Sequence, residues 1–270
     1  MKISVFDKFG ALNSKPVFDA FVKGASRLGH KIVHHDLNSD IFVIWSLLWA
    51  GRMSANKPIY DYAIANNIPV IVLEVGCLNR NNTWRIGLNN LHYVPNNIDS
   101  NRRKLFDIEL KPWKTSGSGI LICGQRTHSE LWKYGDMNTW LNDTINMLHT
   151  KTSEPIYFRP HPRDNSYIDY QHIIKPIKLP GSYDDYDFLI QLSDFKLIIN
   201  MSSNTGILSV INGLPTITDK NSMAYPMSST IDDIRTPNRE LWFDQLCNTE
   251  WTVEEISKSK PIENILIDLF

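Results

Sequence analysis

Arg159, His161 and Arg163 alternate with prolines in the run Ile156-Tyr157-Phe158-Arg159-Pro160-His161-Pro162-Arg163. Arginine presents a planar fork suited to phosphate, and histidine adds a donor that titrates near neutrality. The three residues ahead of them read as the end of a buried strand. Pro160 and Pro162 then stop that strand, because proline fixes φ and has no N–H for a ladder. A strand end carrying such groups is where an open α/β sheet binds its ligand, so the stretch reads as a phosphate or diphosphate site. The same residues also suit a Pro-bounded surface loop with solvated charges.

Two further segments point to the same chemistry. Met201-Ser202-Ser203-Asn204-Thr205-Gly206 opens into the apolar run Ile207 to Ile211. Hydroxyls and free amides at a helix start hold an anion through N–H groups and the helix dipole, although a Ser/Thr N-cap alone has the same composition. Gly124-Gln125-Arg126 follows the run Ile120-Leu121-Ile122-Cys123. A glycine there lets backbone approach a ligand, and Gln125 and Arg126 supply donors.

In the first half, Glu74 stands at the end of the apolar run Pro69 to Leu73, with Arg80, Trp84, Arg85 and Gly87 in the Asn-rich stretch that follows. A carboxylate so placed could be a general base or hold a substrate hydroxyl; paired with Arg80 or Arg85 it would brace the loop. His34-His35-Asp36 has metal-ligand residue types, but adjacent histidines on a strand point to opposite faces, and no third ligand is suggested. Arg102-Arg103-Lys104 reads as a solvated surface run or as part of a positive rim.

The elements that must position these residues alternate. Lys2 to Phe6, Lys31 to His34, Ile41 to Trp45 and Pro69 to Leu73 read as strands, with helical spacing over Val17 to Leu28 and Lys57 to Asn66. The stretch Leu110 to Gly119, with its Pro, Gly and Ser, is the best boundary. After it come a strand from Ile120, a helix over Met137 to Leu148, the strand from Ile156, helical spacing at Phe188 to Leu192, a strand over Phe195 to Asn200 and another over Leu214 to Thr218. The pattern predicts an α/β fold with parallel sheets. Its domains span 1–114 and 115–250, followed by a helical tail over 251–270.

Composition bounds the function. The 270 residues are 42% hydrophobic and 21% charged, with a formal net charge of −1, so no overall basicity advertises nucleic acid. Cys77, Cys123 and Cys247 are far apart and match no zinc spacing. Residues 1–6 read as a strand and not a signal peptide, and Ile41 to Ala50 is too short to span a bilayer, so a cytoplasmic protein with no membrane partner is expected.

Three segments of the second half, Arg159-Pro160-His161-Pro162, Ser202-Ser203-Asn204-Thr205-Gly206 and Asn212-Gly213-Leu214-Pro215-Thr216, resemble the C-terminal domain of GT-B fold glycosyltransferases, among them the capsule-type Kdo transferases. Leu73-Glu74-Val75-Gly76 with Arg80 and Trp84 to Leu88, Gly124-Gln125-Arg126, and Trp242 to Glu255 look like glycosyltransferase-like proteins of tailed phages. The resemblance implies two Rossmann-like domains facing a central cleft, and a metal-independent hexosyl- or pentosyltransferase with no cofactor. A nucleotide sugar such as a UDP-sugar would be the donor. Gly124, Gln125, Arg126, Arg159, His161, Arg163, Ser202, Ser203, Asn204 and Thr205 would bind its phosphates and nucleotide. Glu74 would be the base by position, and Arg80, Trp84 and Arg85 would bind the acceptor. The family suggests as acceptor a 5-hydroxymethyl pyrimidine such as 5-hydroxymethylcytosine in bacteriophage DNA, extruded from the duplex and acted on in the host cytoplasm. Arg80, Arg85, Arg102, Arg103 and Lys104 would then line its backbone. A bacterial surface or capsule glycan is the alternative acceptor, and a non-catalytic nucleotide-binding module of the same fold is the second alternative.

Overall fold

Two parallel-cored sheets carry the chain, one in each of two units: 1–108 with 240–270, and 109–239. They are seen in a computed structural model that describes all residues except 115, 165–167, 183–184 and 270, and the side chains of Gln191 and Ser193. Thr115 of the expected linker and Phe270 of the expected tail therefore lie outside the described residues.

The first unit contains β1 (Lys2–Val5), α1 (Lys15–Arg27), β2 (Lys31–His34), β3 (Ile41–Trp45), α2 (Asn56–Ala65), β4 (Val70–Val75) and β5 (Trp84–Leu88). The second contains β6 (Ile120–Cys123), α3 (Met137–His149), β7 (Ile156–Arg159), α4 (Phe188–Gln191), β8 (Leu197–Asn200), α5 (Asn204–Ile211) and β9 (Thr216–Ile217). The chain then returns to the first unit with α6 (Glu240–Cys247), β10 (Glu250–Trp251), α7 (Val253–Ser257) and α8 (Lys260–Leu269).

The first sheet has the order β10-β5-β4-β3-β1-β2, parallel from β4 to β2, with β5 antiparallel to β4 and β10 antiparallel to β5. Strand β3 is buried at every position because both faces are covered. Its Ile41, Val43 and Trp45 join the layer of α1, α7 and α8, while Phe42 and Ile44 join Val70, Val72 and Ala63 of α2. Helix α1 forms where the sequence predicts it: Val17, Phe18, Phe21 and Ala25 recur at helical spacing and are buried. Helix α7 starts at a capping box, Thr252 with Glu255.

The second sheet, β7-β6-β8-β9, is parallel throughout. Ile120, Ile122, Ile156, Phe158, Leu197 and Ile199 face α3, and Leu121, Cys123 and Ile198 face Phe188 and Leu214. Burying each such aliphatic side chain is worth about 1.5–3 kcal/mol, which is what holds the short strands together.

Two expectations change. Trp84 to Leu88 is not loop but a strand between β4 and β10. Residues 240–250, placed by the sequence in the second domain, belong to the first unit, because β10 pairs with β5 and α6 packs on the segment Ser100–Leu105.

Candidate functional site

In both sheets the first strand has its successors on opposite sides. In the second unit β6 is flanked by β7 and β8, so the chain reverses direction between β6 and β8. Ligands of open α/β sheets bind outside the carboxyl ends of the strands at such a reversal. Gln125 and Ser202 stand at these two ends. The Gln125 Oε1 accepts from the Ser202 N–H at 2.8 Å, and its Nε2 lies 3.2 Å from the Ser202 hydroxyl oxygen. Gln125 is buried and fastens one loop to the other. A Cβ on Gly124 would lie 3.0 Å from the Phe158 ring and 3.4 Å from the His161 nitrogen, tighter than ordinary contact. The ends of β6 and β7 are therefore closely packed.

Arg126 follows Gln125, half-buried, and no hydrogen bond or ion pair engages it among the described residues. In the turn after β7, His161 Nδ1 accepts from the Arg163 N–H at 3.1 Å. A neutral His161 therefore carries its proton on Nε2. Arg163 itself is exposed.

The start of α5 supplies the rest. Ser203 is the N-cap residue in extended conformation, but its side chain makes no capping bond. Its hydroxyl lies 2.6 Å from that of Thr205. The amide of Asn200, at the end of β8, donates to the Ser203 carbonyl at 2.9 Å and its hydroxyl at 3.0 Å. A Cβ on Gly206 would come within 2.8 Å of the Asn200 Oδ1, so the glycine lets this amide lie against the first helical turn. The Asn204 and Thr205 N–H groups have no acceptor among the described residues. Such groups at a helix start bind anions.

Arg159 has a different place from the one expected. It is 4% exposed, and its Nη2 bonds the buried Asp187 at 2.8 Å. Asp187 also accepts from the Ile177 N–H at 2.9 Å. The guanidinium is a strut that ties the end of β7 to the start of α4, not a group presented to a ligand. The sequence missed Asp187, 28 residues away, because no local pattern marks the pair.

The first unit shows the same displacement more strongly. Glu74, Arg85 and Glu250 form a row across β4, β5 and β10. Glu74 is half-buried; its Oε2 accepts from the Ser46 hydroxyl and its Oε1 from the Val75 N–H at 2.8 Å. Arg85, expected to bind acceptor, is 5% exposed and ion-paired to Glu250 at 3.3 Å. Glu250 is fully buried and also accepts from the Leu78 N–H at 3.0 Å and the Thr83 hydroxyl at 2.9 Å. Trp84 is buried in the core with Trp251. Arg80 is half-buried near Cys77, whose thiol is pushed up to about 12 by burial and by Glu250.

Arg102 is buried as well, bonding the carbonyls of Cys247 and Glu250 and the Glu255 carboxylate, and it stacks 3.7 Å from the centre of the Trp251 ring. Arg103 pairs with Glu240 and Asp244. Three of the five cations expected in a positive rim are thus internal ties. Lys104 is exposed.

His34 and His35 do not point to opposite faces. His35 has φ +52°, which ends the strand alternation and turns its ring back. His34 Nδ1 and His35 Nε2 then lie 3.2 and 3.1 Å from the two oxygens of Asp7, a residue the sequence reading passed over. Asp36 pairs instead with Lys2. Among the described residues no group of three His, Cys, Asp or Glu side chains is arranged to hold a metal ion. Among the described residues no helix is long and apolar enough to cross a membrane.

No protein-family model and no curated protein matches the chain. Among solved structures, the β-Kdo 2,7 transferase of Thermosulfurimonas dismutans KpsC is similar at 12% identity with a TM-score of 0.56, over 100% of this chain and 99% of that one. The β-Kdo 2,4 transferase of the same KpsC aligns over 100% and 98% at 15% identity and TM-score 0.49. A putative UDP-N-acetylglucosamine 2-epimerase from Listeria monocytogenes aligns over 97% and 90% at 10% identity and TM-score 0.31. The fold is therefore an α/β fold with two Rossmann-like units, of the kind found in GT-B-like Kdo transferases.

Proposed function

We propose that the chain is a GT-B-type glycosyltransferase that moves a sugar from a nucleotide-sugar donor to a hydroxyl of a carbohydrate acceptor. The observation that carries this reading is the unengaged Arg126 beside the Gln125–Ser202 clamp, at the strand reversal of the second unit. There the donor diphosphate meets the Arg126 guanidinium, the Ser202 and Ser203 hydroxyls and the first N–H groups of α5. As the bond from the anomeric carbon to the diphosphate breaks, these donors stabilise the charge on the leaving oxygen without a metal ion. In a single displacement the acceptor oxygen attacks that carbon and gives its proton to a carboxylate. Glu74 is the candidate, since each oxygen holding one hydrogen bond can still accept another.

A glycan is favoured over DNA because Arg85 and Arg102 are buried in ion pairs and Arg103 is already paired with Glu240 and Asp244, which leaves fewer cations for a phosphate backbone. A cytoplasmic enzyme acting on a bacterial surface or capsule glycan fits this reading. The test is mass spectrometry of products after incubation with a panel of nucleotide sugars, UDP-sugars included, and either glycan acceptors or 5-hydroxymethylcytosine DNA. A sugar adduct on a glycan is expected. An adduct on the DNA nucleoside would transfer the acceptor assignment to phage-type DNA modification. Nucleotide binding without any transfer would leave a binding module.

A further inference from the structure

The strand reversal of the first unit falls between β1 and β3, and a cavity of about 290 Å³ opens beside the carboxyl end of β1. Asp7, Lys8, Gly10, Ser14, Lys15 and Arg52 are among its lining residues. Lys15 is neutralised by Asp19 at 2.6 Å on the next turn of α1. Lys8 and Arg52 are exposed, and no hydrogen bond or ion pair engages either among the described residues. Asp19 lines the cavity too, so with the Lys15–Asp19 pair set aside the cavity presents two uncommitted cations and the Asp7 carboxylate. That carboxylate is oriented: His34 and His35 each approach one of its oxygens, and His35 is fixed by its left-handed backbone and by edge contacts with Phe6 and Phe9. A non-glycine residue held at such a φ persists only where its surroundings enforce it.

We infer that this cavity binds a saccharide bearing an anionic group, carboxylate or phosphate. Lys8 and Arg52 pair with that group, and Asp7 accepts from a sugar hydroxyl. Two cations alone would serve any anion, and Asp7 would repel a simple one. A ligand with both an anion and a hydroxyl satisfies Lys8, Arg52 and Asp7 together. The cavity is open, and Ala11, Leu12 and Phe18 in its lining suit the C–H face of a sugar ring as its polar residues suit the hydroxyls. Its assignment as the acceptor subsite rests on the glycosyltransferase reading; the binding itself does not.

The experiment follows the His34 and His35 imidazole signals of the full chain by NMR, with no nucleotide present. The probes are methyl glucuronide, glucose 6-phosphate and methyl glucoside. Saturable shifts with the first or second probe, and much weaker ones with the neutral glucoside, are expected; which anionic probe binds tighter separates carboxylate from phosphate. Replacing both cations (K8M with R52M) should weaken binding about tenfold, the loss expected for a charge-assisted contact. Asp7→Asn should weaken binding of the glucuronide but not of inorganic phosphate. Equal binding of methyl glucoside, or imidazoles that no probe moves, overturns the inference. Because no donor is present, a failed transfer assay leaves this result standing, and absent binding here leaves the donor site untouched.

Discussion

The two units place different chemistry at the same point of similar sheets. At the reversal in the second unit the groups are neutral donors: the Gln125 amide, the hydroxyls of Ser202, Ser203 and Thr205, and the N–H groups of α5, with Arg126 as the one uncommitted cation described there. At the reversal in the first unit they are ionisable: Asp7, two histidines, Lys8 and Arg52. A fixed set of donors suits an anion that is held and released. A carboxylate oriented by imidazoles and set beside cations suits a ligand that carries both a hydroxyl and an anion. Four further arginines, Arg85, Arg102, Arg103 and Arg159, are spent on ion pairs within the chain. An arginine near a strand end is thus a ligand only where no buried carboxylate has already taken it.

Substitutions that confuse the two kinds of arginine sharpen the contrast. The largest effect is expected at Glu250→Ala, which strands Arg85 and removes the acceptor for the 78–83 loop. Breaking a buried pair costs about 3–5 kcal/mol, read as a fall in the denaturant midpoint. Arg159→Ala strands Asp187 and is expected to destabilise by about 3 kcal/mol. An unchanged midpoint with lost nucleotide affinity would instead make Arg159 a ligand. Arg126→Ala is the converse: stability within about 0.5 kcal/mol of the parent, and nucleotide affinity about tenfold weaker by calorimetry.

A smaller effect is expected with pH. Burial would raise the Glu255 carboxyl, but the Arg102 guanidinium and the Thr252 donors outweigh it and hold it below the usual range. A depressed carboxylate adds stability that is present above its unfolded pKa, about 4.3, and is lost as pH falls through the folded value. Stability of the parent should therefore drop more steeply than that of Glu255→Gln below pH of about 4.3. The smallest expected signal is thiol reactivity. Burial pushes Cys77, Cys123 and Cys247 up to about 12, so none should react with a thiol reagent until the chain unfolds.

The parallel strands were legible because their signal is local. Ile41 to Trp45 and Ile120 to Cys123 are unbroken apolar runs, short and largely β-branched or aromatic, as strands buried on both faces are. The strand β5 was not legible, since Arg85 and Gly87 interrupt its apolar residues and Asn-rich segments flank it. Its arginine is tolerable in the interior only because Glu250 arrives from 165 residues further along. The donor-side segments were found by residue type, and the structure places Gln125 and Ser202 in contact. What residue type could not give was which cation remains available. That depends on Asp187 for Arg159, and on a single backbone angle at His35 for the convergence on Asp7.

The return of the chain through β10 has a consequence for biosynthesis. The second unit is complete in sequence at residue 239, whereas the first still lacks α6, β10, α7 and α8. As the polypeptide leaves the ribosome, the later-encoded unit can therefore finish folding before the earlier one. Until residues 250–251 emerge, β5 is left as an open sheet edge and Arg85 as a charge without its carboxylate.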